Sequence, residues 1–330
     1  MTFSIFIRKA TAFLLAIFIT IVPYTGFSKP GLQAKKDDCK MNISLISDVH
    51  IEAKGIFRTS FLKQGLKAMA KAKTPVDAVV IAGDLTNYAD EPSVAKYYDI
   101  INKYSPAPVV SVPGNHDIGH AGDRAVTDIT REQARDNMIK YYNDYSGREL
   151  DTIYYSTEIN GYKFIVLGDE VVDGGHWDMI SMSEEQLSFL DSELASAPEG
   201  QPVFVCCHWP IKGINGEPTI WEDSGIDPEE YNVPAILEKY DNVFYISGHM
   251  HGGIRSEYVG EKFDIPMAEQ VNGVTYLSLP TFGIVNMFGI PVSGTGAQLE
   301  VYDDEVIFRP VNYLTGRWYT NSAYTFELLK

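Results

Sequence analysis

Short apolar runs separated by polar or amphipathic stretches set the rhythm of the chain. Six of them, Ile43 to Ile46, Ala78 to Ile81, Val109 to Val112, Phe164 to Leu167, Val203 to Cys207 and Val243 to Ile246, are apolar apart from Ser44 and Ser111 and too short for helices. That is the pattern of strands buried on both faces. Helical periodicity lies between several of them. Leu62, Leu66 and Met69 share a face opposite lysines, and Val94, Tyr97, Ile101 and Tyr104 recur at helical spacing after Pro92. A third helix begins at Ser183, with Gln186 as its capping-box partner, and carries Leu187, Leu190 and Leu194 on one stripe.

From Tyr154 onward the pattern includes hairpins. Asn160-Gly161 joins Tyr154 to Ile159 with Tyr162 to Leu167, and Asp303-Asp304-Glu305 joins Leu299 to Tyr302 with Val306 to Val311. Mixed sheets with helices outside, an α/β sandwich, fit this order best. No repeat, low-complexity tract or interdomain linker divides the chain, so residues 29–330 read as one domain. Connections at Ile118 to Thr130, Val171 to Met182, Gly213 to Pro228 and Thr281 to Gly296 are longer than joining elements requires, a common place for function.

Composition adds two facts. The 330 residues carry 27 Lys and Arg against 44 Asp and Glu, a formal charge of -17. So acidic a chain is poorly suited to a nucleic-acid backbone or an anionic membrane face as its main partner. The first 28 residues differ from the rest: Arg8 and Lys9 precede an apolar run from Ala10 to Val22, then Pro23 and small or polar residues up to Ser28. This resembles a secretory signal. The expectation is export to a secreted, periplasmic or cell-surface location, with cleavage near Ser28; an uncleaved anchor, extended by Tyr24 and Phe27, is the alternative. Three cysteines, Cys39, Cys206 and Cys207, make no disulfide framework, and the adjacent pair reads as two small core residues of a buried strand.

Candidate chemistry follows the strands. Asp48-Val49-His50, Gly83-Asp84, Gly114-Asn115-His116-Asp117, His208 and Gly248-His249-Met250-His251 each stand just after an apolar run. In α/β folds ligands gather beyond the carboxyl ends of strands, so five polar clusters there can converge on one site. Residues at i and i+2 of extended chain point the same way, which would bring Asp48 to His50 and His249 to His251, and the adjacent glycines allow tight turns. Each signal is weak alone. Together they absorb five of the seven histidines, which a solvated-surface reading does not explain.

This order, D-x-H, G-D, G-N-H-D, H and G-H-x-H, resembles the calcineurin-like metallophosphoesterases from Ile43 to about Gly252. The resemblance implies a four-layer α/β/β/α sandwich with two mixed sheets and two divalent metal ions. It places Asp48, His50 and His251 on the first ion, Asp84 as the bridge, and Asn115, His208 and His249 on the second. His116 would stand off the metals beside the phosphate as a catalytic residue, with Asp117 behind it to orient it. A shell of carboxylate, amide and imidazole without thiolate suits Mn, Fe or Zn. Two such ions about 3.5 to 4 Å apart lower the pKa of a bridging water and clamp the oxygens of an in-line displacement at phosphorus.

Departures narrow the resemblance. Purple acid phosphatases carry G-D-x-x-Y with a tyrosine ligand and lack the first-motif histidine; here Asn87 stands at that tyrosine position, with Tyr88 one place later, and His50 is present. The segments Gly83 to Thr86 and Pro113 to Gly119 look instead like the cyclic-nucleotide and glycerophosphodiester phosphodiesterase branch. That branch often has H-H-P at the fourth motif where this chain has His208-Trp209-Pro210. The expected activity is hydrolysis of a small phosphodiester, and possible readings beside it are a broad phosphomonoesterase or a non-catalytic metal- or phosphate-binding module. An intact His116-Asp117 pair favours the enzyme. His120, His176, Trp177, Trp209 and Trp221 fall outside the ligand set, as substrate contacts, pocket wall or surface and core.

Overall fold

The computed structural model describes residues 31–119, 129–172, 179–215, 224–252, 266–283 and 293–330. The proposed leader, His120, His176, Trp177 and Trp221 lie outside them. Every one of the six apolar runs is a strand. β1 (Met41–Ile46), β2 (Ala78–Ala82) and β3 (Val109–Val112) lie parallel in one sheet, and β1 also pairs antiparallel with β10 (Thr295–Val301). β11 (Glu305–Asn312) continues this sheet beside β10, and two short strands, β12 (Arg317–Trp318) and β13 (Tyr324–Glu327), pair with β11.

The second sheet has the order β4 (Tyr155–Ile159), β5 (Tyr162–Val166), β6 (Val203–Cys206), β7 (Val243–Ser247), β9 (Val274–Ser278), β8 (Ala268–Val271). Its centre, β5 through β9, is parallel and both edges are antiparallel hairpins. Asn160 and Gly161 have φ of 52° and 82°, the left-handed pair that a two-residue hairpin turn requires.

Helices flank the sheets. α1 (Phe57–Met69) buries Leu62, Leu66 and Met69, and α2 (Glu91–Tyr104) buries Val94, Tyr97 and Ile101 behind an Asp90 cap that accepts from Ser93 N at 2.9 Å. α3 (Arg131–Ser146) follows β3 and the 3-10 turn Asn115–Ile118, and α4 (Glu184–Ala195) begins at the Ser183 cap. Gln186 is not the reciprocal half of a capping box. It is fully buried, and its amide pairs with both the N–H and the C=O of Gly168, at 3.0 and 2.9 Å, fastening α4 to the end of β5.

Buried apolar residues of both sheets and the helices form one continuous core. Cys206 and Cys207 are part of it, and burial holds both thiols far from ionisation, Cys207 pushed up to about 12. Two mixed sheets with flanking helices are thus the architecture the strand order implied. Among the described residues no helix is long and apolar enough to cross a membrane.

Candidate metal centre

The carboxyl ends of β1, β2, β6 and β7 meet at one place because their loops hydrogen-bond to one another. Asp48 N donates to Gly83 O at 3.0 Å and His50 N to Asp84 O at 2.8 Å, so the first two motifs run side by side. Gly248 N donates to His208 O at 2.9 Å, which couples the fourth and fifth. The loop after β9 closes the other flank, with Phe282 N on Ser47 O at 2.8 Å.

The side chains converge, but not through extended backbone. Asp48, His50, Asp84, His249 and His251 have φ of 55°, 45°, 50°, 65° and 45°. Left-handed backbone at a non-glycine residue costs on the order of 1–3 kcal/mol and persists where surrounding bonds over-determine it, typically at functional sites. The i and i+2 pairs are therefore aimed by two left-handed residues flanking a middle one, and the inter-loop hydrogen bonds hold them. Glycine serves a second purpose here. A Cβ on Gly83 would lie 2.1 Å from His208 Nδ1, and one on Gly114 would lie 2.3 Å from Asp84 Oδ1, so both positions leave room for ligand side chains.

Asp48, His50, Asp84 and His251 offer donor atoms that all lie within 4.8 Å of one another. His251 Nε2 is 2.9 Å from Asp48 Oδ1 and 3.2 Å from His50 Nε2. Asp84 stands between this group and the second one: its Oδ2 is 3.4 Å from His50 Nε2 and its Oδ1 is 3.4 Å from His208 Nε2. His249 Nδ1 meets Asn115 Oδ1 at 3.1 Å, and its ring lies 5.0 Å from that of His208. All seven residues singled out as ligands by the sequence are thus in one cluster, with the second-motif aspartate at its centre.

The cluster fits divalent cations. Neither oxygen of the buried Asp48 carboxylate receives a directed hydrogen bond, nor does His208 Nε2 make one. A carboxylate out of water with no directed hydrogen bond, and with no Lys or Arg paired to it among the described residues, is costly unless a cation compensates. Burial pushes His50 and His249 well below the ordinary histidine range, so both rings are neutral, the form that coordinates metal. Burial pushes His208 the same way, but the Asp84 carboxylate beside it wins and raises it to about 9. Asp84 itself, despite burial, is held well below the usual carboxylate range by His208, His116 and His50.

His116 sits beside the cluster, its ring edge-on to His50 at 4.6 Å and its Nε2 3.9 Å from Asp84 Oδ2. The side chain is 24% exposed, unlike the buried His50 and His208, so it faces the approach to the site. The role expected of Asp117 requires correction. Both its oxygens are consumed by Leu85 N, Thr86 N, the Thr86 hydroxyl and Gly114 N at 2.8 to 2.9 Å. The acceptor that orients His116 Nδ1 is the Asn87 carbonyl, at 3.1 Å. Asp117 instead stitches the second motif to the third, and burial followed by the charge of Asp84 raises it to about 6.

Other supports were invisible in the sequence because they are backbone atoms. Ala82 O fixes His208 Nδ1 at 2.8 Å, and Asn87 lends its carbonyl while its amide goes to Glu52 at 2.9 Å. Asn87 is the residue three places after Asp84, where the purple acid phosphatase pattern has its tyrosine. Trp209 is fully buried, its ring 6.0 Å from that of His249, and so backs the site from the core and does not line a pocket wall.

The family model described as calcineurin-like phosphoesterase matches residues 41–253. The chain belongs to the calcineurin-like phosphoesterases. The match runs from β1 to just past β7 and takes in all five motifs. Among curated proteins, the 3',5'-cyclic adenosine monophosphate phosphodiesterase CpdA of Escherichia coli, from strain K12 and from O157:H7, is 23% identical over 232 residues, covering 68% of this chain and 74% of the relative. Among solved structures, the purple acid phosphatase PPD1 of yellow lupin seeds superposes with a TM-score of 0.57 at 15% identity, over 87% of this chain. The chain spans about half of that phosphatase, 53% of its length, and the likeness is one of fold. For a calcineurin-like phosphoesterase, a divalent-metal cluster of aspartate and histidine is the expected centre of phosphoester hydrolysis.

Proposed function

We propose that this chain is an exported, two-metal phosphodiesterase acting on small phosphate diesters. The observation that carries the reading is the single buried Asp84 carboxylate set between two groups of ligands, His50 on one side and His208 on the other. Asp48, His50 and His251 would hold one ion and Asn115, His208 and His249 the other, with Asp84 shared. Divalent ions bound there supply charge compensation for the phosphate and a water acidified enough to attack at neutral pH.

The chain's own residues supply the rest. His116 donates Nδ1–H to the Asn87 carbonyl, which aims Nε2 toward the open side of the cluster, where an imidazolium can protonate the departing oxygen. Asp117 holds the motif that carries His116 against Leu85 and Thr86. Trp209 and the core behind it exclude water from the rear of the site. A diester is favoured over a monoester by the similarity to the curated cyclic-nucleotide enzyme, over two thirds of the chain. Mn, Fe and Zn all suit the donor set.

The test is a substrate panel with defined metals: bis-p-nitrophenyl phosphate, p-nitrophenyl phosphate, cyclic AMP and glycerophosphodiesters. Faster turnover of diesters than of the monoester supports the reading, and turnover of the monoester alone would replace it with a phosphomonoesterase.

A further inference from the structure

The loop that follows His50 does more than deliver a ligand. Glu52 is two places beyond that histidine, yet its carboxylate stands outside the group of donors formed by Asp48, His50, Asp84 and His251. It faces the second motif. Oε1 accepts from Asn87 Nδ2 at 2.9 Å and from Arg58 Nη1 at 2.8 Å, and the same Arg58 nitrogen donates to the His50 carbonyl at 3.2 Å. One carboxylate oxygen thus ties together the backbone of a ligand, the first turn of α1 and the residue that orients His116.

α2 holds this loop from behind. Lys96 Nζ donates to the carbonyls of Glu52, Ala53 and Gly55 at 3.1, 2.9 and 2.9 Å, and Ser93 Oγ accepts from Ala53 N at 3.0 Å. With its backbone fixed in this way, Glu52 is a firm anchor for Asn87. The pairing between the first two motifs ends at the bridge of Ile51 with Thr86, where Asn87 N donates to Ile51 O at 3.0 Å. The Asn87 carbonyl lies just past that end, and the side-chain bond to Glu52 sets the direction of its peptide. A carbonyl only accepts, so its contact with His116 Nδ1 at 3.1 Å requires a proton on Nδ1 and turns Nε2 toward the cluster.

We propose that Glu52 is a positioning residue for His116: through the Asn87 amide it sets the carbonyl that aims the imidazole at the departing oxygen. The inference rests on the reading of His116 as general acid. Its test pairs a spectrum with kinetics. In Zn-loaded, isotope-labelled protein at alkaline pH, proton–nitrogen correlation of the histidine rings shows which nitrogen of His116 carries the proton, the signal being assigned by its loss in His116→Asn. Wild type carries it on Nδ1. Glu52→Ala shifts it toward a mixture of tautomers, and so does Asn87→Ala, which keeps the carbonyl and removes only its anchor; either variant suffices if the other fails to fold. With metal content as in wild type, both lose about tenfold on glycerophosphodiesters, part of the roughly 100-fold to 10,000-fold that a positioned acid supplies, and less than about threefold on bis-p-nitrophenyl phosphate. Neither adds to the loss in a His116→Asn background. Glu52→Gln keeps an acceptor for the Asn87 amide and restores most of the rate, which an effect of the carboxylate charge alone would not do. An unchanged His116 spectrum, equal losses on both esters, losses that add to that of His116→Asn, or a Glu52→Gln as slow as Glu52→Ala overturns the proposal. Loss of metal overturns it too, by making Glu52 a support of the ligands. A wild type that turns over no phosphodiester refutes the phosphodiesterase reading instead, and the spectrum then decides the positioning by itself.

Discussion

At the scale of single residues, the chemistry rests on how unevenly similar side chains are placed. Asp48, Asp84 and Asp117 are all buried carboxylates, yet Asp117 accepts four hydrogen bonds from protein and Asp48 accepts none that is well directed. Hydrogen-bond supply therefore separates the structural carboxylate from the one that waits for a cation. Asp84 lies between the two ligand groups, and Asp84→Asn keeps its size while removing the charge both ions would share. Elemental analysis of that variant should find one metal ion or fewer per chain, with turnover abolished; two tightly bound ions and a near-normal rate would take Asp84 out of the centre. His116 makes a different prediction, because it touches the edge of the cluster from a partly exposed position. General acid assistance contributes about 100-fold to 10,000-fold and matters most for a poor leaving group. His116→Asn should keep its metal, lose much of its rate on alkyl phosphodiesters and lose distinctly less on nitrophenyl esters. Equal losses on both would make His116 a stabiliser of phosphoryl charge, and lost metal would make it a ligand.

At the scale of elements, the parallel strands were legible because burial on both faces leaves an unbroken apolar run, as in Val79 to Ala82 and Val203 to Cys206. α3 was not, since only Ala134, Met138 and Tyr142 of its 16 residues are buried and most of the others are polar or charged. Its signal was the capping box, with Thr130 Oγ1 accepting from Gln133 N at 3.2 Å and Gln133 Oε1 accepting from Thr130 N at 2.8 Å. β8 and β9 escaped notice although Asn272-Gly273, with φ of 49° and 86°, repeats the turn at Asn160-Gly161. Gln186 was legible as a cap residue and turned out to be a bracket, because capping chemistry is local whereas its partner Gly168 is 18 positions away. Gln186→Met keeps the length and strands the Gly168 N–H and C=O in the core. Each unmatched group costs about 1–3 kcal/mol, so denaturant unfolding should show a loss in that range or above. Gln64→Met, on the exposed face of α1, should stay within about 0.5 kcal/mol of wild type.

For the whole molecule, two consequences follow from where the chain is fastened and where it is strained. The segment after residue 30 is strapped to the first sheet: Lys35 N donates to the buried Glu300 at 2.7 Å, Arg309 reaches Gln33 O at 3.0 Å, and Ala34 N reaches Thr74 Oγ1 at 2.8 Å. A cut after Ser28 would spare that strap, so intact mass of chain recovered from an exporting host should place the N-terminus near Lys29; Met1 retained on a soluble intracellular pool would refute export. The last consequence concerns stability. The convergence of five loops was readable from motif order, but the left-handed backbone of five ligand residues and the buried Asp48 carboxylate without a directed hydrogen bond were not, and both weigh against the folded state until a cation joins them. A metal that binds the folded chain and not the unfolded one adds RT ln(1 + [M]/Kd), about 2.7 kcal/mol at a hundredfold excess over Kd. For a chain of this size each kcal/mol shifts Tm by about 2 °C or a little more, so saturating Mn or Zn should raise it by roughly 5 °C over chelated protein. Asp84→Asn should shrink that rise, because it removes the carboxylate that both ions would share. A Tm indifferent to metal in the wild type, or an Asp84→Asn chain that responds in full, would show that the cluster is not a cation site.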